Sequence, residues 1–457
     1  MFILKNSKFK KIYSLILSFI LVLSIFLQTN IYAIAENMDK DSQKPVKNII
    51  LLIGDGMGES HITLGRILKG SELYMDSMPY NGTVSTHPLP QEEKWVTDSA
   101  AAGTALATGV KTYNGYISVD KNKKPLETIL EKSQKNGKSV GLVTTTRITH
   151  ATPAVFASHN ADRDAENEIA EEMIEHKVNV LLGGGKRHFI PKTKGGKRED
   201  NKNLIEKAKQ YGYKYVETVD DLNKINKGKI LGLFNLTHMN YEIDRDKSKE
   251  PSLSEMTAKA IEILNNEKNG FFLMVEGGRI DHASHANDPA TTALDVIAFD
   301  DAVKTALDFA KKDKNTLVIV TADHETGGLA IGGYGVYNFK PEELKKQKIS
   351  LENLFPTLNE KNFEKEIEQK LGIKLNPEES KEIKNSISKK SIESLVNIVN
   401  LNSNTGWASS AHTATDVPIK AYGPGAERFS IHMDNTDVNK IMLEMFGWSD
   451  KNIKKAS

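Results

Sequence analysis

Asn48-Ile-Ile-Leu-Leu-Ile53 ends in five consecutive apolar positions, and Gly54-Asp55-Gly56 follows at once. A strand apolar on both faces suits a sheet covered on both sides by helices. The same pattern recurs at 139–144, 178–182, 271–276 and 316–321. Between these runs, 125–136, 165–176 and 254–266 carry helical spacing, the last preceded by a Ser252-x-x-Glu255 capping box. The long segment 289–311 repeats Leu294, Ile297, Ala298, Ala302 and Leu307 at helical intervals. Strands alternating with helices predict one large α/β domain. Polar residues directly after strand ends place its chemistry beyond the carboxyl edge of the sheet. Segments 186–246 and 340–400 read as additions: the first a peripheral lobe, the second a set of charge-rich surface helices. A lid or a subunit contact is the alternative role for the second.

The amino terminus breaks the pattern. Lys5, Lys8, Lys10 and Lys11 precede an apolar run of 16 residues, 12–27, and Ala33-Ile34-Ala35 offers a small-x-small cleavage site. The run is shorter than the roughly 20 residues of a spanning helix, so residues 1–35 are expected to be a cleaved signal peptide rather than an anchor. Residues 36–47 follow as a polar linker, and 48–457 as the catalytic domain. A bacterial protein, secreted or associated with membrane or cell wall, is the expectation. Cleavage would leave 57 basic against 60 acidic side chains, a net charge of about −3. Neither this balance nor the +1 of the full chain suits a dedicated nucleic-acid binder. Zero Cys excludes thiol catalysis, disulfides and thiolate-ligated metal.

Acids and histidines gather in three places. Asp55 sits between two glycines after the first strand, as a ligand or as an ordinary turn former. Glu276-Gly-Gly-Arg-Ile-Asp281-His282-Ala-Ser-His285 packs two acids and two histidines into ten residues. Asp281 and His285, four apart, share a helical face and can meet one ion. Thr321-Ala-Asp323-His324-Glu-Thr-Gly-Gly repeats the arrangement at another strand end. His412 stands alone in sequence, and only the fold can give it partners. Carboxylates and imidazoles without thiolates suit zinc at nitrogen-rich positions and magnesium or manganese at oxygen-rich ones. Two close divalent ions imply clamp catalysis on tetrahedral phosphorus or sulfur. In Thr97-Asp98-Ser99-Ala-Ala-Ala-Gly, Ser99 is the nucleophile candidate, placed near free backbone N–H groups at a helix start; the other reading is that Asp98 or Ser99 only caps the helix. From the residues alone Arg163 reads as a surface arginine, with a planar fork for phosphate oxygens as the alternative.

These blocks, in this order, resemble the bacterial and animal alkaline phosphatases from Asn48 to about Gly447, more weakly in the two additions. The resemblance implies a three-layer sandwich around a large, mostly parallel sheet, and hydrolysis of phosphate monoesters with two zinc ions and one magnesium ion. It implies that Asp281, His285 and His412 hold the first zinc, that Asp323, His324 and Asp55 hold the second, and that Asp55, Thr152 and Glu276 hold magnesium. Ser99 becomes the nucleophile of two in-line displacements through a phosphoseryl intermediate, and Arg163 clamps phosphate. His150 and His282 stand where enteric bacterial members carry an acid and a lysine and animal members carry histidine, acting on the water around magnesium and phosphate rather than as direct ligands. A homodimer is implied, a monomer being the alternative. Competing readings are a phosphodiesterase or sulfatase of the same wider superfamily, and a non-catalytic exported metal- or phosphate-binding protein.

Overall fold

The first strand, β1 (Asn48–Ile53), is buried along its whole length and lies near the middle of a ten-stranded sheet. The computed structural model describes residues 18, 20 and 45–448 except 92. The expected signal peptide and most of the linker therefore lie outside the described residues. Of that first unit, Ser18 and Ile20 are helical. From Val46 onward the chain forms a single unit.

The sheet is assembled from β1, β2 (Tyr80–Ser85), β3 (Ser139–Arg147), β4 (Val180–Gly184), β5 (Tyr213–Val216), β6 (Lys229–Leu233), β7 (Phe271–Glu276) and β8 (Thr316–Thr321). Two later strands complete it, β13 (Val417–Tyr422) and β14 (His432–Asp434). The spatial order is β14-β2-β13-β8-β1-β7-β3-β4-β6-β5, and β13 alone runs against the rest. Between β8 and β13 two short ladders stand outside the sheet: β9 (Glu325–Thr326) with β12 (His412–Thr413), and β10 (Leu329–Ile331) with β11 (Thr405–Trp407). Helices on both faces bury β1, β7 and β8 completely, giving the three-layer sandwich. The longest helix, Pro289–Asp313, packs against Leu253–Leu264, which begins with the capping box expected at Ser252 and Glu255.

The two additions are more integrated than the sequence suggested. Segment 186–246 supplies β5 and β6, which close one edge of the main sheet. The edge strand β5 is short and half-polar, with Lys214 exposed and Tyr215 half-buried, so the pattern of a core strand is missing there; β6, one place in, is buried from Ile230 to Leu233. Segment 340–400 is helical, but its helices are not bare solvated decoration. Leu351, Phe363, Ile367, Leu371, Ile383 and Leu395 pool into a second apolar cluster with Leu64, Ala290 and Ala293. Each helix carries only a narrow apolar stripe, and the core appears when several stripes meet.

Register then sets the site. Ile53 lies opposite Thr321 on one side and Glu276 on the other, and Glu276 lies opposite Thr144. Three adjacent strands, β8, β1 and β7, thus end at one level, beside Thr144 of β3, and the chemistry-bearing loops leave from there.

Candidate metal centre

Asp55 follows β1 in a turn that only glycine suits. Gly56 has φ +70°, and a Cβ there would lie 2.6 Å from Thr326 Oγ1 and 2.8 Å from Asp281 Oδ1. The Asp281–His285 helix, the Asp323–Gly328 turn and the Asp55 turn therefore close on one another. Their donors fall into three groups, each with its ligand atoms within 4.8 Å: Asp281, His285 and His412; Asp55, Asp323 and His324; and Asp55, His150 and Glu276. Asp55 belongs to two of them.

In the first group the imidazoles are pre-oriented. His285 Nδ1 donates to the Ser410 carbonyl at 2.7 Å and His412 Nδ1 to the Thr97 carbonyl at 2.8 Å. Carbonyls only accept, so in the neutral imidazoles both Nε2 atoms carry the lone pair. Those two atoms face each other at 3.1 Å, with Asp281 Oδ2 3.2 Å from His285 and Oδ1 3.6 Å from His412. Converging lone pairs and a carboxylate fit a cation, and the fixed tautomers are the usual support of metal-bound histidine. His285 is pushed up to about 9: burial opposes its charge, but the hydrogen bond to Asp281 outweighs it.

The second group is fully buried. His324 Nε2 lies 3.3 Å from Asp323 Oδ2, 3.4 Å from Asp55 Oδ1 and 3.2 Å from Ser99 Oγ. Asp323 Oδ1 takes the N–H groups of Gly56 and His324, while its Oδ2 and Asp55 Oδ1 have no hydrogen-bond partner. Burial, then the charge of Asp281, raises Asp323 to about 7. Burial and the neighbouring Asp323, Asp281 and Glu276 raise Asp55 as well. Buried, orphaned, mutually repelling carboxylates are the environment a divalent cation relieves.

In the third group Glu276 Oε2 accepts from Thr144 and Thr146, and its Oε1 has no hydrogen-bond partner. Thr152 Oγ1 donates to Asp55 Oδ2 at 3.5 Å. His150, expected to act only through water, brings a ligand nitrogen within reach of both carboxylates, and its buried Nδ1 is unpaired. His282 remains outside the three groups; its Nδ1 accepts from Arg279, whose guanidinium lies 3.7 Å from the Tyr241 ring centroid.

Asp98 caps the helix, and Ser99 takes the position at its start that the nucleophile reading requires. Asp98 is the N-cap of the helix Ser99–Thr108, accepting from Ala101 N–H at 2.9 Å. Its other oxygen takes Gly115 N–H at 2.8 Å and Arg163 Nη1 at 3.0 Å. Ser99 is the first helical residue, buried beside His324. The helix sits close to its neighbour because Gly103 has no side chain; a Cβ there would meet Val155 at 2.9 Å. Arg163 Nη2 lies 3.2 Å from His150 Nε2, so the fork is held between Asp98 and the third group.

Three residues at the centre escaped sequence reasoning. Thr326 donates to Asp281 Oδ1 at 2.5 Å, and Glu325 lies opposite Thr413, the residue after His412. Both lie inside the Asp323–Gly328 block, so adjacency to two ligands was the available signal. His238, in the 186–246 segment, packs its ring 4.4 Å from that of His282 and 5.6 Å from that of His150. Nothing in Asn-Leu-Thr-His-Met-Asn marks it.

Three cation-seeking clusters of carboxylates and imidazoles at the carboxyl edge of a mostly parallel sheet are the arrangement of a metal-dependent hydrolase. The family model described as alkaline phosphatase matches residues 46–447. Alkaline phosphatase 4 of Bacillus subtilis is 41% identical over 424 residues, covering 89% of this chain and 90% of that one. The solved alkaline phosphatase of Thermus thermophilus shares 32% identity at a TM-score of 0.82, over 89% of this chain and 92% of that one. A variant of the alkaline phosphatase from the Antarctic bacterium TAB5, solved with Mg bound in its M3 site, shares 30% identity at a TM-score of 0.69, over 89% of this chain and 100% of that one. The chain belongs to the alkaline phosphatase family. It is an enzyme that hydrolyses phosphate monoesters at a metal-binding active site.

Proposed function

We propose that Asp281, His285 and His412 hold one zinc ion, that Asp55, Asp323 and His324 hold a second, and that Asp55, Glu276 and Thr152 hold magnesium. His150 adds an imidazole to the third site, which broadens the ions it accepts beyond those that prefer oxygen alone. When bound, these ions supply Lewis acidity on both sides of the phosphorus. The rest is performed by the chain. Ser99 Oγ attacks the phosphorus in line, the bond to the ester oxygen breaks, and the alcohol leaves. Water then cleaves the phosphoseryl ester, regenerating Ser99 and releasing inorganic phosphate, so two inversions retain configuration. Arg163, fixed by Asp98, presents its fork to two non-bridging oxygens throughout.

The observation that carries this reading is the placement of Ser99 Oγ 3.2 Å from His324 Nε2, with Arg163 tied to the residue before it. Phosphate release by the parent and by Ser99→Ala, both loaded with zinc and magnesium, tests it. Loss on the order of 10³-fold in the variant supports covalent catalysis; equal turnover by the two proteins overturns the role of Ser99. Metal analysis of the same preparations tests the two-zinc, one-magnesium stoichiometry. Export through residues 1–35, to the medium or to a membrane or cell-wall surface, and assembly as a homodimer complete the proposal. Amino-terminal sequencing of the native protein and sedimentation test those two parts.

A further inference from the structure

We infer that Glu325 is a positioning residue for His412, setting how tightly the first zinc is held; this rests on the zinc assignment above. β9 and β12 pair over only two residues, His412 opposite Thr326 and Thr413 opposite Glu325. Side chains alternate along a strand, so each face of this ladder carries one such pair. On one face Thr326 and His412 both approach Asp281. On the other, Thr413 Oγ1 donates to Glu325 Oε2. The same carboxylate takes Gly328 N–H, at 3.0 and 3.1 Å to its two oxygens.

A two-residue ladder is too short to hold its own register, and a slip by one residue would turn His412 away from Asp281. The Thr413–Glu325–Gly328 clamp supplies what the ladder lacks. Glu325 is 5% exposed, and room for it is made at Gly58, where a Cβ would lie 2.5 Å from Glu325 Cγ. Among the described residues its one basic neighbour within ion-pair distance is His61, whose Nδ1, 3.8 Å away, already accepts from Gly58 N–H at 3.2 Å. A carboxylate buried with neither Lys nor Arg beside it would be a poor choice for stability alone. Its hydrogen bonds instead go to the backs of the two segments that carry zinc donors.

The test is a chelator titration with zinc as the probe, on the parent and on Glu325→Ala, Glu325→Gln, Thr413→Val and the double variant Glu325→Ala/Thr413→Val. The visible spectra of the cobalt-loaded proteins report coordination at the same time, and far-ultraviolet circular dichroism confirms folding. A parent that takes up fewer than two zinc ions overturns the zinc assignment itself. With that assignment standing, Glu325→Ala and Thr413→Val should each weaken one zinc ion about 10–100-fold, the range for residues that orient metal ligands. Thr413→Val, nearly isosteric, should leave the other zinc ion unchanged. Glu325→Gln, which keeps one acceptor oxygen for Thr413, should fall between parent and Ala. The double variant should be no weaker than the poorer single one. Zinc affinities within twofold of the parent in both single variants, or losses that multiply in the double variant, would overturn the inference.

Discussion

Loading metal into the stripped centre must displace protons, and the count follows from the two groups whose titration is best placed. Asp323 is raised to about 7 and His285 to about 9, and each must be deprotonated to bind a cation. At pH 6 the first is about nine-tenths protonated and the second essentially fully so. Zinc uptake at pH 6 should therefore release about two protons from these groups, with any still held by the raised carboxyls of Asp55 and Glu276 adding to that count. At pH 8 Asp323 has lost its proton and His285 still holds about nine-tenths of one, so the release falls to about one. Because each cation takes the deprotonated form of its own group, affinity rises about tenfold per pH unit at both zinc sites near pH 6, and near pH 8 only at the first, where His285 still holds its proton. Calorimetry of zinc binding in two buffers of different ionisation enthalpy counts the protons directly. Release of less than about one proton at pH 6, or a count that grows from pH 6 to pH 8, would refute the reasoning.

Three further outcomes are expected. Arg163→Ala should weaken competitive inhibition by inorganic phosphate about 10–100-fold, the loss of one charge-assisted fork, as read from inhibition constants. Gly56→Ala, which strains a positive φ and drives a methyl group into Asp281 and Thr326, should lower unfolding free energy by about 1–3 kcal/mol and reduce zinc retention, measured by denaturant titration and metal analysis. Burial raises Asp295, on the long helix, to about 8, so the folded state keeps a proton that the unfolded chain sheds above its ordinary value of 3.8. Stability is then fullest in acid and is lost as pH rises toward 8, at a cost of about 4 kcal/mol by pH 7. Asp295→Asn should relieve that cost, with a gain near pH 7 in denaturant titrations that disappears at pH 4.

What the sequence made legible and what it hid divide along a physical line. The strands β1, β7 and β8 are buried on both faces, and continuous apolar runs announce them. The ligands Asp55, Asp281, His285, Asp323 and His324 follow such runs or share a helical turn, so short-range spacing was enough to group them. β5 lies at the sheet edge, where half the positions face solvent and no apolar run is required, and in β6 the buried run from Ile230 to Leu233 is short and broken by Gly232. The second apolar cluster is equally hidden, since Phe363, Ile367 and Leu371 look like one weak stripe until other helices supply theirs. His412 was placed by resemblance alone. The fold gives its reason: a two-residue ladder to Glu325-Thr326 whose partners are nearly ninety positions apart. His238 and the closeness of His150 to the third group are products of tertiary packing and leave no local trace.

The first group draws its donors from positions 281, 285 and 412, and this has a consequence in time. During synthesis, Asp55 emerges early and Asp281 with His285 midway, but the first group cannot close until position 412 of 457 has been made. The strand that follows, β13, must also cross back between β2 and β8 before that segment is anchored. A nascent chain is thus unable to complete the first group, however much metal surrounds it, although the other two groups need nothing beyond His324. The first group is thus the last of the three to close, and its ion is drawn from the surroundings in which the segment carrying His412 folds.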